Sequence, residues 1–190
     1  MTLDQYSIFL SLGIFGLFGL LVASALLYFL IPVVRQHIQS HSYNNFLIAI
    51  AFFSLASVVG ALTYQLVYLT PVCELCWWQR IFLFPISVIA LVAVWWRTRE
   101  AHITVAILSL LGLFYASYHY YYHFQGLVLG HTLSLPCSFV GLLPACPSSP
   151  ILTFGFGTIP FMGILVFSSK LILAGFAHMK VRRDKVASTI

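Results

Sequence analysis

Charged side chains are scarce in this sequence of 190 residues. Lys and Arg number 9 and Asp and Glu number 4, which is 7% of the chain, whereas 61% of the residues are hydrophobic. So few charges cannot cover the water-exposed surface of a globular domain, which excludes an ordinary soluble protein. The sequence also lacks internal repeats, low-complexity tracts and the basic blocks of nucleic-acid-binding proteins. Lipid is therefore predicted to be the solvent around most of the chain.

Five long apolar runs take up most of the sequence. They cover approximately residues 8–34, 46–70, 77–96, 102–124 and 158–179. Each is near or above the roughly 20 residues that a helix needs to cross about 30 Å of hydrocarbon, whereas a membrane β-strand needs only about 10 alternating residues. A cleaved signal peptide is disfavoured because no basic residue precedes Arg35 and the first run is far longer than an h-region. The predicted fold is an all-α integral membrane protein with five spans.

Basic residues are distributed unevenly between the segments that connect these runs. Seven of them fall on one side: Arg35, Arg97, Arg99, Lys180, Arg182, Arg183 and Lys185. Only Arg80 lies near the other side, so the positive-inside rule predicts that the linker after the first run, the turn after the third run and the C-terminal tail are cytoplasmic. Residues 125–157 and the segment around Cys73 are then predicted to face outward. Lys170, inside the last run, is predicted to snorkel toward the cytoplasmic surface.

The sequence has four cysteines: Cys73, Cys76, Cys137 and Cys146. All four lie on the predicted outward side, and an even set of cysteines on an oxidising face indicates disulfide chemistry. Cys73 and Cys76 form a Cys-x-x-Cys pair at the start of the third run, where a helix N-terminus favours thiolate at Cys76. Arg80 follows one helical turn later, so its cation is predicted to favour this thiolate further. Two separate dithiols on one face favour a relay through mixed disulfides.

The residues alone leave other roles open. A zinc site with four cysteine ligands is disfavoured because eight mostly apolar residues separate Cys137 from Cys146, and no metal site is predicted. A transporter is expected to carry internal repeats or mid-membrane charges, and only Lys170 is of that kind. A structural protein with two bracing disulfides differs from a relay under thiol trapping, because relay disulfides cycle and bracing ones stay oxidised. Taken alone, Arg80 would be an anchor to lipid phosphates.

Four stretches carry a resemblance to a known family: Cys73-Glu-Leu-Cys76-Trp-Trp-Gln-Arg80-Ile, Tyr118-His119-Tyr120, the loop of Cys137 and Cys146 flanked by prolines, and Phe154-Gly-Phe-Gly-Thr-Ile-Pro160. In these stretches and their order, over about residues 45–179, the chain resembles the DsbB family of disulfide-forming membrane proteins. Within that family it is most similar to the BdbC-type branch. The related vitamin K epoxide reductase family has its two cysteine pairs in the opposite order.

The resemblance implies a four-helix membrane bundle, residues 41–180, with a bound quinone that is ubiquinone or menaquinone. Residues 1–40 would add an N-terminal transmembrane helix and a cytoplasmic linker that the core family lacks, and residues 181–190 a cytoplasmic tail. The implied activity is that of a protein-disulfide oxidoreductase of the bacterial cytoplasmic membrane, with its cysteines outside. It would reoxidise a thioredoxin-fold dithiol oxidase of the DsbA or BdbD kind, through Cys137 in preference to Cys146, and so support disulfide formation in exported proteins.

The resemblance also implies roles for single residues. Cys76 would form the adduct with the quinone, and Cys73 would exchange with the loop pair. Arg80 would lie beside the quinone, and His119 would hydrogen-bond one of its carbonyl groups.

Overall fold

A computed structural model of the chain describes residues 2–69, 72–96, 98, 100–127, 153 and 157–188. These residues form six helices: α1 (Leu3–Leu30), α2 (Pro32–Ser40), α3 (Tyr43–Leu66), α4 (Glu74–Trp96), α5 (Ala101–Leu127) and α6 (Ile159–Ala187). Outside the helices, one isolated antiparallel bridge joins Thr153 to Gly157. All helices except α2 are long and apolar enough to cross a membrane. The predicted all-α fold with five spans is confirmed.

Capping side chains explain where two of these helices begin. Thr2 and Gln5 form a capping box at the start of α1, in which each side chain accepts the other residue's backbone N–H. At the start of α6 the Thr158 side chain accepts the backbone N–H of Phe161 at 3.4 Å. These oxygens satisfy N–H groups that the first turn of a helix leaves without an intrahelical partner.

The first predicted run is divided into two helices at Pro32. Proline has no N–H with which to continue the hydrogen bonding of α1, and Pro32 instead lies in the first turn of α2. The guanidinium of Arg35 compensates by donating to the carbonyl oxygens of Tyr28 at 3.3 Å and Phe29 at 3.4 Å. The segment that was predicted as a linker therefore contains a short helix.

The C-terminal end of α6 is tied to α2. Lys180 donates to the backbone carbonyl of Gln39 at 3.1 Å, and Arg183 donates to the side-chain oxygen of the same residue at 2.5 Å. Lys180 also forms an ion pair at 3.3 Å with Asp184, one turn further along α6. The helix continues to Ala187, past the predicted end of the last run at residue 179. Cationic side chains thus gather at the end of the molecule where α2 lies.

Helices α3 to α6 form a four-helix bundle. α3 packs against α4 and α6, and α5 packs against the same two helices. The apolar core between them includes Ile50, Ile86, Val105 and Phe167. Gly112 allows α5 to approach α6 closely, because a side chain at this position would overlap the ring of Phe167.

The N-terminal helix α1 lies outside this bundle and packs against α6. Its outer side chains, such as Leu12 and Leu20, are exposed, as expected for a helix that faces lipid. The predicted four-helix bundle with an additional N-terminal helix is therefore confirmed.

Candidate active site

The Cys-x-x-Cys pair lies where α4 begins. α4 starts at Glu74, so Cys73 immediately precedes the helix and Cys76 lies in its first turn. The Sγ atom of Cys73 accepts the backbone N–H of Cys76 at 3.4 Å, and the two Sγ atoms are 2.8 Å apart. Both cysteines are free thiols, and Cys73 is buried. A modest further approach of the sulfur atoms would bring them to the roughly 2.0 Å of a disulfide bond.

A histidine from α5 contacts the first cysteine. The Nε2 atom of His119 is 3.5 Å from Sγ of Cys73, and its Nδ1 atom is 3.0 Å from Nε2 of Gln79. The amide nitrogen of Gln79 can only donate, so Nδ1 of His119 accepts, and the ring proton is then carried by Nε2. This proton points at the sulfur of Cys73. His119 and Gln79 are both buried, which keeps the contact away from water.

Hydrogen-bond donors around Sγ of Cys73 stabilise the thiolate form of this residue. The hydrogen bond from the Cys76 thiol lowers the pKa of Cys73 to about 4, against the opposing effect of burial, and His119 and the Cys76 N–H add to the lowering. The sequence predicted the stabilising effect of the helix N-terminus at Cys76, near the start of a run that begins at about residue 77. Because α4 starts three residues earlier, at Glu74, the N–H of its first turn is directed at Cys73 instead.

A cavity of about 330 Å³ lies between α1, α3, α4 and α6. Its lining is mostly apolar, and the polar or ionisable residues in it are Ser57, Tyr64, Cys76, Gln79, Arg80, Ser169 and Lys170. Ligand sites of proteins are commonly apolar cavities of about 300–1,000 Å³ with a few polar groups, so this cavity is large enough for a small headgroup. Cys76 lines it, whereas Cys73 and His119 do not belong to the lining. The two cysteines of the pair therefore face different surroundings.

Arg80 lies inside the bundle and not at the lipid surface. Its side chain is only 7% exposed. The guanidinium donates to the side-chain oxygen of Gln65 and, at 3.0 Å, to the carbonyl oxygen of Ala61, both on α3. It also lies 5.4 Å from the centre of the Trp77 ring. These partners are neutral, so Arg80 brings a positive charge to the cavity wall next to Cys76, which argues against the alternative of a lipid anchor.

The predicted snorkelling of Lys170 is wrong. The side chain is fully buried, its Nζ atom is 3.5 Å from the carbonyl oxygen of Val166, and it lies 5.6 Å from the centre of the Phe167 ring. The reason is tertiary, because α6 packs against α1, α3 and α5, and position 170 faces the cavity. A buried amine without an acidic partner in the described part of the chain is costly in a membrane, and such residues commonly serve function.

Gln79 is the site residue that sequence reasoning missed. It lines the cavity and also holds His119, so it joins the cavity to the surroundings of Cys73. Gly163 on α6 makes room for it, since a Cβ there would lie 2.6 Å from the Gln79 side-chain oxygen. The signal that would have found Gln79 is its position in the Cys-x-x-Cys-Trp-Trp-Gln-Arg stretch, directly before Arg80.

A metal site is the main chemical alternative for these groups. The ligand atoms of Cys73, Cys76 and His119 all lie within 4.8 Å of one another. Tetrahedral zinc with Zn–S bonds of about 2.3 Å separates its sulfur ligands by about 3.8 Å. The observed 2.8 Å between the two Sγ atoms suits a dithiol that closes to a disulfide better than it suits a pair of zinc ligands.

The second pair, Cys137 and Cys146, lies outside the described residues. Residues 154–156 also lie outside them, whereas residues 157–160 of the same stretch are described. The predicted exchange between the loop pair and Cys73 therefore stays a prediction.

The chain is similar to disulfide bond formation proteins over about two thirds of its length. The family described as "Disulfide bond formation protein DsbB" matches residues 43–177. A "Probable disulfide formation protein" of Coxiella burnetii (strain RSA 493 / Nine Mile phase I) is 31% identical over 128 residues, which cover 65% of this chain and 83% of that protein. Two proteins of Bacillus subtilis (strain 168) are each 31% identical. They are the "SPbeta prophage-derived disulfide bond formation protein B", with 66% of this chain and 80% of that protein covered, and the "Disulfide bond formation protein C", with 64% and 84% covered. No solved structure matches the chain.

Proposed function

Because this chain belongs to the DsbB family of disulfide bond formation proteins, we propose that it passes electrons from the dithiol of a thioredoxin-fold partner, through its own cysteines, to a membrane quinone. It is a multi-pass membrane protein and, as a member of that family, a disulfide oxidoreductase. The quinone, the partner and the order of transfer are the proposal.

One observation carries the proposal: the two sulfurs of the Cys-x-x-Cys pair adjoin each other but face different surroundings. Cys76 lines an apolar cavity together with Arg80. Cys73 contacts His119, outside that cavity, at 3.5 Å. A pair that accepts electrons on one side and releases them on the other requires this separation, whereas a bracing disulfide does not.

The cavity lining suits a quinone. A quinone has a flat apolar ring, two carbonyl oxygens that accept hydrogen bonds and an apolar tail. The walls are apolar, and donors are available from Arg80, Gln79 and Lys170. When bound, a quinone would supply the acceptor for the two electrons and two protons that are released as Cys73 and Cys76 form their disulfide. Arg80 and Gln79 would hold its headgroup next to Cys76.

The cysteines exchange disulfides in two steps. In the first, a thiolate of the loop pair attacks Sγ of Cys73 in the Cys73–Cys76 disulfide. The bond between Cys73 and Cys76 breaks, a bond between the loop and Cys73 forms, and Cys76 leaves as a thiolate toward the cavity. The positive charge of Arg80, on the same cavity wall, stabilises this leaving group.

In the second step the other loop cysteine attacks the loop sulfur that is joined to Cys73. The loop disulfide forms, and Cys73 leaves as a thiolate. His119 and the backbone N–H of Cys76 donate to this thiolate, so it is a good leaving group. We assign the mixed disulfide with the partner protein to Cys137, in preference to Cys146. A thiolate of the partner attacks Sγ of Cys137 in the loop disulfide, the bond between Cys137 and Cys146 breaks, and Cys146 leaves as a thiolate.

The proposed orientation puts the cysteines on the outer face of a bacterial cytoplasmic membrane. Arg35, Lys180 and Arg183 lie at the α2 end of the molecule, and Cys73 follows α3 at the opposite end of the bundle. Basic residues mark the cytoplasmic end of membrane proteins. An outward Cys73 would meet the oxidising compartment in which disulfide exchange with exported proteins takes place.

A single-turnover experiment tests the proposal. The full-length protein in lipid nanodiscs is reduced, freed of reductant and mixed with a short-chain ubiquinone or a short-chain menaquinone. Quinol formation is followed by absorbance and thiol loss by alkylation. We expect two thiols to be lost for each quinone reduced, and no quinone reduction by Cys76→Ser. If the reduced thiols persist in the presence of both quinones, quinone is not the acceptor.

A further inference from the structure

The N-terminal helix forms one wall of the cavity, although it lies outside the part of the chain that matches the family. The family match begins at residue 43, after α1 and α2. Five residues of α1 nonetheless line the cavity: Phe9, Leu10, Gly13, Ile14 and Leu17. They extend over more than two turns of the helix, so the contact runs along the cavity and is not confined to one end.

Polar contacts hold α1 against α3. The hydroxyl of Tyr6 donates to the carbonyl oxygen of Gly60 at 3.4 Å, and the hydroxyl of Tyr64 donates to Oγ of Ser7 at 3.1 Å. A Cβ at Gly60 would lie 3.5 Å from the Leu10 side chain, which shows how closely the helices approach. Hydrogen bonds and small residues of this kind stabilise helix pairs in membranes, where the hydrophobic effect does not.

The same helix is held against Thr153, which precedes α6, and against the first turn of α6 itself. Oγ of Ser11 is fully buried and lies 3.0 Å from Oγ1 of Thr153. The rings of Phe15 and Phe161 meet edge to face with their centres 5.8 Å apart. α1 therefore bridges α3 and α6, and it covers the side of the cavity that lies between them.

From this arrangement we propose that α1 is part of the quinone-binding site of this chain, with the face around Gly13 in contact with the bound headgroup. The inference rests on the proposed function. Without α1, the side of the cavity between α3 and α6 would face lipid, and a quinone would be held by three helices. With α1 it is enclosed by four helices, so the width of the headgroup that fits is set in part by residues that the family match does not include.

Gly13 offers a direct test because a side chain can be added at this position and would enter the cavity. A Cβ built on Gly13 meets no atom within 4 Å, and Gly13 lines the cavity, so a larger side chain there would occupy the cavity without displacing neighbouring atoms. Gly16, one turn later, also has no atom within 4 Å of an added Cβ, but it does not line the cavity. The same substitution at Gly16 is therefore a matched control.

The experiment compares Gly13→Leu with Gly16→Leu in full-length protein in nanodiscs. Binding of a short-chain ubiquinone and of a short-chain menaquinone is measured by quenching of tryptophan fluorescence, and quinone reduction is measured in parallel. We expect Gly13→Leu to raise the Kd and the KM for quinone about tenfold or more, a loss of about 1.4 kcal/mol per factor of ten. Gly16→Leu should match the wild type, and the alkylation rate of Cys73 should be unchanged in both variants.

Equal quinone affinity in Gly13→Leu and the wild type, or equal loss in both variants, would overturn the inference. If Gly13→Leu does not fold, Gly13→Ala replaces it in the same measurement. Its methyl group enters the same space and should raise the Kd about two- to threefold. An unchanged Kd in Gly13→Ala would overturn the inference. A failure of the proposed function is distinct, because the wild type itself would then neither bind nor reduce either quinone.

Discussion

Replacing His119 by leucine should raise the pKa of the Cys73 thiol. In the wild type this pKa is lowered to about 4, and His119 contributes through the hydrogen bond from its Nε2 atom at 3.5 Å. A hydrogen bond to a charged group is worth about 1.5–3 kcal/mol, and one pKa unit corresponds to about 1.4 kcal/mol. The substitution should therefore raise the pKa by about 1 to 2. The backbone N–H and the thiol of Cys76 remain, so the pKa should stay below that of an ordinary cysteine.

The assay is the rate of Cys73 alkylation against pH in the reduced, full-length protein. Mass spectrometry separates Cys73 from the other cysteines, and the midpoint of the profile reports the pKa. His123→Leu is the matched control, because His123 is also buried on α5 but its ring nitrogens have no hydrogen-bond partner among the described residues. Equal midpoints for His119→Leu and the wild type would refute the role of His119 in lowering this pKa, and a wild-type midpoint near that of a free cysteine would refute the lowered pKa itself.

The lowered pKa of Cys73 should also make the stability of the reduced protein depend on pH. The pKa of Cys73 is lower in the folded protein than the value of about 8.5 expected when unfolded. Ionisation of Cys73 therefore stabilises the reduced fold fully above the unfolded pKa, and this contribution is lost as the pH falls toward 4. The Tm of the reduced protein should therefore fall as the pH is lowered from about 8.5 to about 4. The fall should be smaller in His119→Leu.

Other substitutions test the remaining roles. Arg80→Met should raise the KM for quinone about 10- to 100-fold, since a charged hydrogen bond is lost. The KM of Arg80→Lys should lie between those of the wild type and Arg80→Met, because lysine keeps the charge but lacks the fork that serves Gln65 and Ala61 together. Unchanged quinone titrations would remove Arg80 from the site. Lys170→Met should leave the Tm equal or higher, since a buried amine with no acidic partner among the described residues is replaced by an apolar chain. The same substitution should raise the KM for quinone about 2- to 10-fold, and a lower Tm with an unchanged KM would make Lys170 structural. Cys137→Ala or Cys146→Ala should block oxidation of a thioredoxin-fold partner while Cys73 and Cys76 still react with quinone, and full partner oxidation by both variants would end the relay. Reporter fusions should put residues 97–101 in the cytoplasm and residues 130–150 outside, and the opposite result would reverse the proposed orientation.

The helices were predictable because membrane spans leave a strong signal in composition. An apolar run must satisfy its backbone internally as a helix, so length alone assigns the spans. The helix ends were less predictable, because they depend on single residues. Pro32 divides the first run, since it cannot donate a backbone N–H, and Arg35 satisfies the carbonyl groups that are left free.

The site was predictable as far as it lies in one stretch of sequence. The Cys-x-x-Cys pair and Arg80 are separated by single helical turns, so their proximity follows from spacing. The contact of His119 with Cys73 joins residues 46 positions apart and depends on how α5 packs beside α4. The burial of Lys170 likewise depends on the central position of α6, because a single span gives no indication of which face meets protein and which meets lipid.

The start of α4 decides how the two cysteines differ. A backbone N–H at the first turn can be directed at only one of two sulfurs three residues apart, and here it is directed at Cys73. Cys76, inside the helix, is instead turned toward the cavity wall that it shares with Arg80. Each cysteine thus has its own source of positive potential, a ring N–H for Cys73 and a guanidinium for Cys76. In the proposed mechanism either sulfur can then leave as a thiolate in its own step. Gln79 joins the two surroundings, because it contacts His119 and also lines the cavity.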